Sequence, residues 1–538
     1  MYIEKELNKS WKWILGLASA LLLLPQLAMP ELTSDEALYG MIARNAHNTG
    51  DYFSTVSQGL NVSTGHLYPW LVNCFGLFGV NEFTIRFPSI LALAMMIAGA
   101  AFITYKYGGR QSAIVAGICM LSSYAAVKMG TRGEENMVGS AFLSISWLCW
   151  FQYSRDRKSW FKAWFYSLAL VSVAAFSLGY YVFFMFYIPL IFLRKPTDVR
   201  KRIFLLPHFK ALLIIITLHF IIFLFVTNLA SSSTPELGLT LGKTKDYSSG
   251  LFNFPFSAAL YLLPWLFFCW PPYCAAFTAM EKDHVLFHFF RTVTVSLFIT
   301  FWILPDSSPL SLIPVLPGLA IMTGLHYQIL IRRYHHYIRK LVRVTLGVSV
   351  IANSGWLIIF GLNLSGLGTE TINELGLTKQ WILINVGICS SALLLALFLL
   401  FLGRDYSVWL KTICMAIIGH WSLITYNSIP LEGNISNKDI GAQLAKNIDI
   451  DGTIINAKLK QNPVIMFYLD RKNTIHRTVS DNPENNYQFP NIVYVISDGK
   501  PPISLTNNPA DYQWTPVSEL LKGNKGFFQS WKGVKTAP

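Results

Sequence analysis

The sequence predicts an all-α polytopic membrane protein with a small α/β domain at its C-terminal end. Of the 538 residues, 53% are hydrophobic and only 13% are charged, whereas soluble domains carry about 25% charged residues. Apolar segments close to the length that a helix needs to cross a bilayer, about 20 residues, recur as far as residue 429 and then stop. We therefore predict a transmembrane domain over residues 1–429 and a soluble domain over residues 430–538.

About thirteen transmembrane helices fit these apolar segments. The fifth and sixth segments are short, so they form either a helical hairpin or one kinked unit. The first follows three lysines, as a signal peptide would, but it is long and lacks a clear small-residue cleavage site, so we interpret it as a retained helix. The predicted spans lie near residues 11–29, 83–104, 111–128, 137–154, 164–179, 180–193, 210–228, 258–278, 285–304, 310–330, 345–363, 381–402 and 412–428.

Lys and Arg side chains fall mainly in alternate loops between the spans, as they do in the cytoplasmic loops of membrane proteins. This bias predicts a cytoplasmic N-terminus and, with an odd number of spans, a C-terminal domain on the outer side. The net charge of +14 then reflects membrane topology and does not indicate nucleic-acid binding. The seven cysteines lie in or beside apolar segments without metal-ligand spacing, so we expect them to pack in the core.

Three loops on the predicted outer side are candidates for function. The first outer loop (loop 1, residues 30–82) contains two helical patterns, over 35–47 and 67–78. The second outer loop (loop 2) covers residues 129–136. The long outer loop (loop 3, residues 229–257) is rich in Ser, Thr and Gly, and such loops are often functional lids.

The C-terminal domain alternates between helix and strand patterns. Residues 438–447 have a helical pattern, and residues 453–457, 464–469 and 492–496 have the apolar runs of buried strands. The domain has no Cys and a single His, His476, and it shows no phosphate-loop or dinucleotide-binding pattern. We expect it to be structural or to face the acceptor.

An acidic pair, Asp35 and Glu36, follows directly after the first apolar segment. Carboxylates at a membrane surface are costly unless they meet water, a metal ion or a substrate. A purely structural interpretation is also open, because both residues suit the first turn of a helix, with Asp35 as its N-cap.

Loop 1 resembles a known family in its motifs. Residues 35–39 (DEALY), 42–45 (IARN), 67–71 (LYPWL) and 82–89 (EFTIRFPS) follow one another as in the first outer loop of polytopic glycosyltransferases of the C superfamily. The resemblance is to the branch that contains the lipid A aminoarabinose transferases and protein O-mannosyltransferase-like enzymes. Residues 130–136 resemble the second outer loop of that branch, with Asn136 where an Asp is usual. Residues 63–65 (STG) stand where aminoarabinose transferases carry Glu-Lys-Pro, which argues for another sugar or acceptor.

The resemblance implies an enzyme that moves one sugar from a polyprenyl-monophosphate carrier to an envelope acceptor, a lipid A-like lipid or a glycan, on the outer face of a bacterial inner membrane. Such a transfer needs a carboxylate near the acceptor and cations near the leaving phosphate. If the acceptor is a hydroxyl, we expect Asp35 to take its proton in an inverting displacement, and if the acceptor is a phosphate, we expect Asp35 to orient it or to share a cation. We expect Glu36 to support the loop or to act directly. The remaining candidates are Glu134, Glu135 and Asn136 on the acceptor side, and Tyr39, Arg86, Arg132, Lys243 and Lys245 for the lipid phosphate.

A divalent cation near Asp35 is a further expectation, and His66 is a candidate for the donor side or for that metal. Structural interpretations remain open: His66 as a surface histidine, Asn136 as a helix N-cap and Arg86 as a helix-end anchor.

Two rival functions remain. A protein O-glycosyltransferase differs only in its acceptor, which the sequence does not reveal. A lipid-sugar flippase or transporter would place ionisable residues within its spans, whereas the acidic residues here cluster in the outer loops.

Overall fold

The computed structural model is largely helical up to residue 419 and mixed α/β from residue 437. It describes residues 31–53, 56–57, 60–61, 66–155, 159–194, 203–229, 247–278, 280–281, 283–304, 309–365, 379–402, 411–412, 414–419, 437–448, 453–456, 463–469, 474–475, 492–497, 512–518, 521–523 and 526–535. The first predicted span, residues 11–29, lies outside the described residues, as does most of loop 3.

Loop 1 contains the two predicted helices. Helix α1 covers Ser34–Thr49, and α2 covers Leu67–Phe75 and continues as a 3-10 turn over Gly76–Phe78. Between them, the short strands β1 (Val56–Ser57) and β2 (Leu60–Asn61) pair antiparallel. The N-cap of α1 is Thr33 and not Asp35: Thr33 and Glu36 bond each other's backbone N–H groups in a capping box.

The helices that follow form the membrane domain. The described residues contain five helices long and apolar enough to cross a membrane, or six if one bent pair counts as a span, so thirteen spans stays a prediction. The helices are α3 (Glu82–Ser122), α4 (Tyr124–Gly130), α5 (Glu135–Ser154), α6 (Trp160–Leu178), α7 (Tyr181–Phe192), α8 (Leu206–Leu229), α9 (Tyr247–Tyr261), α10 (Leu266–Cys269), α11 (Ala275–Thr278), α12 (His284–Ile303), α13 (Leu316–Ser365) and α14 (Lys379–Leu397). Two 3-10 turns, Pro271–Tyr273 and Pro309–Val315, and a π-helical turn, Phe398–Leu402, complete this part.

Several helix boundaries differ from the sequence prediction. The predicted span 258–278 is not one helix: α9 and α10 meet at a bend of 100°, and three prolines in this stretch prevent a continuous helix. Conversely, α3 runs through two predicted spans with a kink at Gly109, whose φ of 77° a glycine adopts without strain. Helix α13 likewise joins two predicted spans across a kink at Tyr334.

The C-terminal domain is α/β, as predicted. Helix α15 covers Asn437–Lys446. The strands are β3 (Thr453–Asn456), β4 (Thr474–Ile475), β5 (Ile492–Ser497), β6 (Tyr512–Pro516), β7 (Leu521–Gly523) and β8 (Gly526–Lys535). They form a six-stranded sheet with the order β4-β3-β5-β8-β6, with β7 paired to β8. Strands β3, β4 and β5 are parallel, whereas β8 runs antiparallel to its neighbours.

One predicted strand is wrong. Residues 464–469 belong to a helix, α16 (Pro463–Leu469), in which five of the six predicted strand residues are buried. A helix buried on nearly all sides has the same continuous apolar run as a buried strand, so periodicity does not separate the two. Pro463 at the first helical position was the available signal.

Candidate functional site

The candidate site is built next to a buried ion pair between Glu36 and Arg86. The Nε and Nη2 atoms of Arg86 donate to the two carboxylate oxygens of Glu36 at 2.8 and 3.0 Å, and both residues are 0% exposed. Burial alone would raise the pKa of the Glu36 carboxyl. The charge and hydrogen bonds of Arg86, with N–H donors from Gly133 and Thr33, more than offset burial and lower that pKa. The pair therefore ties α1 to α3.

Loop 2 lies against this ion pair through Gly133. A Cβ atom at Gly133 would lie 2.9 Å from Cγ of Glu36 and 3.1 Å from the Tyr68 hydroxyl, so only glycine allows this approach. The Gly133 N–H donates to Glu36, and the next N–H, of Glu134, donates to the Ser89 hydroxyl at 3.1 Å. These bonds bring the start of α5 beside the start of α1.

Two adjacent rows of side chains along α1, which we call stripes, have different contacts. Residues spaced by four share a helix face. Glu36, Gly40 and Arg44 form the stripe that faces other parts of the fold. On the neighbouring stripe, Asp35 is exposed, and Tyr39 donates its hydroxyl hydrogen to the Glu135 carboxylate at 3.0 Å. Burial, with the negative charge of Glu135, raises the pKa of Tyr39 and keeps it a donor.

Glu134 is a carboxyl group of this site whose pKa lies close to neutral pH. Its side chain is half-buried, and burial, followed by the negative charges of Glu36 and Asp35, raises the pKa of its carboxyl to about 7. The cations Arg132 and Lys128 act in the opposite direction. The charges of both outer loops therefore act on one another.

An apolar cavity of about 400 Å³ lies between α9, α10, α12 and α13. Tyr261 lines it, and its ring stacks on that of Tyr124 with centroids 5.5 Å apart. The ammonium group of Lys128 lies near both rings and 3.4 Å from the Tyr261 hydroxyl. Since Lys128 also acts on Glu134, it connects the carboxylates with the edge of the cavity. Sequence reasoning did not select Lys128. The signal available in the sequence was its position in α4, about one helical turn before Arg132.

The structure brings most of the predicted site residues together, but in differing environments. Glu36 and Arg86 are paired and buried, so their charged groups bond to each other and to the chain around them. Asn136 lies in the first turn of α5 and is not its N-cap, which is Glu134. His66 stacks on Trp70 with centroids 5.9 Å apart, and burial lowers its pKa.

Lys243 and Lys245 lie outside the described residues. Within the part of the chain that the structure describes, no three His, Cys, Asp or Glu side chains are grouped to hold a metal ion. The divalent cation therefore stays a prediction.

Comparison with known proteins identifies the fold. The family model for dolichyl-phosphate-mannose-protein mannosyltransferase matches residues 64–226. The crystal structure of ArnT from Cupriavidus metallidurans bound to undecaprenyl phosphate superposes with a TM-score of 0.73 at 15% sequence identity, over 97% of this chain and 98% of that chain. This chain has the fold of ArnT. The apo state of ArnT gives a TM-score of 0.72 at the same identity and coverage.

The resemblance predicted from loop 1 is thereby confirmed, and so is the predicted fold class, an integral membrane protein with a soluble α/β domain. The ArnT likeness extends over both parts of the chain, whereas the family model covers only the first part. Among curated protein sequences, none matches this chain.

Proposed function

We propose that this protein is a glycosyltransferase that moves one sugar from a polyprenyl-monophosphate carrier to an acceptor at the outer face of the membrane. The observation that carries the proposal is the convergence of Asp35, Glu134 and Glu135 from two loops, beside a lysine at the edge of an apolar cavity. The fold shared with ArnT, which binds undecaprenyl phosphate in its crystal structure, supports the same donor class.

The apolar cavity accommodates part of the polyprenyl chain in this proposal. Its lining is almost entirely apolar, and Lys128 at its edge supplies a positive charge for the phosphate. Arg132 is half-buried and acts on the same carboxylate as Lys128, so it is the second cation of the phosphate site. Lys243 and Lys245 of loop 3 remain proposed contributors.

Asp35 is the proposed general base. A hydroxyl oxygen of the acceptor attacks the anomeric carbon of the sugar while the bond from that carbon to the phosphate oxygen breaks. The hydroxyl proton passes to the Asp35 carboxylate, and the electron pair of the broken bond stays on the phosphate near Lys128. Ionised Glu134 stabilises the positive charge that develops on the sugar ring. One displacement of this kind inverts the anomeric configuration.

The acceptor in this proposal is a lipid A-like lipid or a glycan, as the resemblance of loop 1 to the lipid A aminoarabinose transferases implies. The match to the mannosyltransferase family supports a second candidate, transfer to Ser or Thr of a protein. We further propose a bacterial inner membrane, a cytoplasmic N-terminus and a periplasmic C-terminal domain. A divalent cation held by Asp35 is compatible with the exposure of that carboxylate.

The first test is sugar transfer by the purified protein from a panel of polyprenyl-monophosphate sugars to an envelope extract, with products identified by mass spectrometry. Asp35→Asn is expected to lower the rate by about 100-fold or more, as loss of a general base does. Asp51→Asn is the matched control, because Asp51 is exposed in the same loop, and an asparagine there keeps an oxygen for the Phe53 N–H. Equal activity of wild type and Asp35→Asn, or no donor consumption by the wild type, refutes the proposal.

A further inference from the structure

The soluble domain contacts the helix that carries Asp35. Helix α1 is enclosed between α3 of the membrane domain and α16 of the soluble domain at Gly40. A Cβ atom there would lie 2.5 Å from Cε2 of Phe467 and 2.7 Å from Cδ1 of Ile85. Neither neighbour leaves room for a side chain, so α16 packs directly on the backbone of α1.

A second contact holds the last part of α1. The guanidinium group of Arg44 lies 3.8 Å from the centroid of the Phe467 ring, and it also donates a hydrogen bond to the Phe467 carbonyl oxygen. Phe467 is 2% exposed. A cation over a desolvated ring with a charge-assisted bond to the same residue is a strong local contact.

A third contact holds the start of α1. The Tyr468 hydroxyl donates to a Glu82 carboxylate oxygen at 3.2 Å and accepts from the Leu32 N–H at 3.4 Å, two residues before the first helical residue. Lys438 of α15 donates to the same Glu82 oxygen at 2.6 Å. Burial and the charge of Glu82 raise the pKa of Tyr468, so its hydroxyl stays protonated.

We infer that Phe467 and Tyr468 of the soluble domain are positioning residues for Asp35. Together with Leu32, Gly40 and Arg44, they fix the start, the middle and the last part of α1 on one side. Asp35 lies on the neighbouring stripe and projects into the site. The soluble domain is then part of the catalytic unit, in addition to any contact that it makes with the acceptor. This inference rests on the proposed function.

The test is Tyr468→Phe in the full-length protein, which removes one hydroxyl and keeps the ring. Tyr494→Phe is the control within the same domain, since Tyr494 is a buried tyrosine on β5, whereas Tyr468 is partly buried on α16. We expect Tyr468→Phe to lower kcat about 10- to 100-fold, because small displacements of a reacting group have effects of that size. The KM for the donor and the activity of Tyr494→Phe should stay within about twofold of wild type.

Two further readouts separate positioning from a general loss of folding. In an Asp35→Asn background, Tyr468→Phe should lower the residual rate less than about twofold, because effects that act through one group are not additive. Hydrogen exchange of residues 34–49 should become about tenfold faster in Tyr468→Phe and stay unchanged in Tyr494→Phe. Exchange needs no transfer assay, so it tests the contact even if the proposed function fails.

Three outcomes overturn the inference: a kcat of Tyr468→Phe within twofold of wild type, an undiminished loss in the Asp35→Asn background, or unchanged exchange of α1.

Discussion

The ionisation of Glu134 should govern the pH dependence of transfer. The pKa of its carboxyl is raised to about 7 by burial and by the charges of Glu36 and Asp35, so the group is neutral below that pH and negative above it. About one tenth is ionised at pH 6 and about nine tenths at pH 8. Since the negative form stabilises the oxocarbenium-like transition state, the rate should rise about tenfold over this interval.

The assay is initial transfer rate against pH for wild type and Glu134→Gln. The donor is a phosphodiester with no ionisation near pH 7, but an acceptor phosphate has a second pKa of about 6. An inflection that the acceptor causes would persist in Glu134→Gln, whereas one that Glu134 causes should disappear and leave a profile flat to about twofold. A flat wild-type profile, or the same inflection in the variant, refutes the reasoning.

The charged neighbours of Glu134 predict in which direction substitutions should move its pKa. Arg132 lowers the pKa of Glu134, so Arg132→Gln should move the inflection to higher pH. Asp35 raises it, so Asp35→Asn should move it to lower pH. Because Asp35→Asn is expected to be nearly inactive, its titration is followed by infrared absorption of the protonated carboxyl. Shifts in the same direction for both variants would contradict the electrostatic origin of the raised pKa.

Other predictions concern the architecture around the site. Replacing Glu36 by Gln leaves the Arg86 charge buried without its partner and should lower the free energy of unfolding by about 3 to 5 kcal/mol. The double variant Glu36→Leu with Arg86→Met should recover most of that loss in denaturant unfolding, and a double variant no more stable than the single one would argue against the mechanism. Gly324→Ala places a Cβ 2.6 Å from the Ser112 carbonyl oxygen. Because this atom overlaps the backbone of α3, the variant of α13 should have a lower midpoint of thermal unfolding. An unchanged midpoint would show that the two helices separate at no cost. Tyr39→Phe keeps the ring contact but loses the hydrogen bond to the Glu135 carboxylate of α5. The transfer rate should fall about tenfold, with the midpoint of thermal unfolding nearly unchanged. A loss of thermal stability that accompanies the loss of rate would indicate a structural role.

The sequence predicted the fold class, because that depends on composition and on short motifs. It also predicted the two outer loops whose charged residues the structure brings together, and their role as a functional site stays a prediction. Apolar length predicts spans, and the helical pattern over residues 35–47 predicts α1. Helix continuity was not predictable in the same way, since two spans joined at Gly109 have the same apolar pattern as two separate ones. The error in α16 has a related cause, because burial on all sides removes the periodicity that separates helix from strand.

The environments of the candidate site residues could not be predicted from the sequence, for a different physical reason. Residue type and position predicted that Asp35 and Glu36 lie together after the first predicted span. Their opposite environments depend on the distant partner Arg86, 50 residues along the chain, which local patterns do not reveal. The proximity of Lys128 to Tyr261, 133 residues apart, is likewise a tertiary property.

The contact between Gly133 and the buried ion pair constrains how this protein can diverge. Residues 86 and 133 both contact residue 36. The Glu36 side chain is long enough to reach both partners, the Arg86 guanidinium bonds both of its oxygens, and Gly133 approaches closely because it has no Cβ. A shorter Asp at position 36 would not span the same set of donors, and any side chain at position 133 would displace it. Substitutions at these three positions should therefore have coupled effects on the packing, whereas a substitution of the exposed Asp35 leaves this packing in place and affects the proposed chemistry alone.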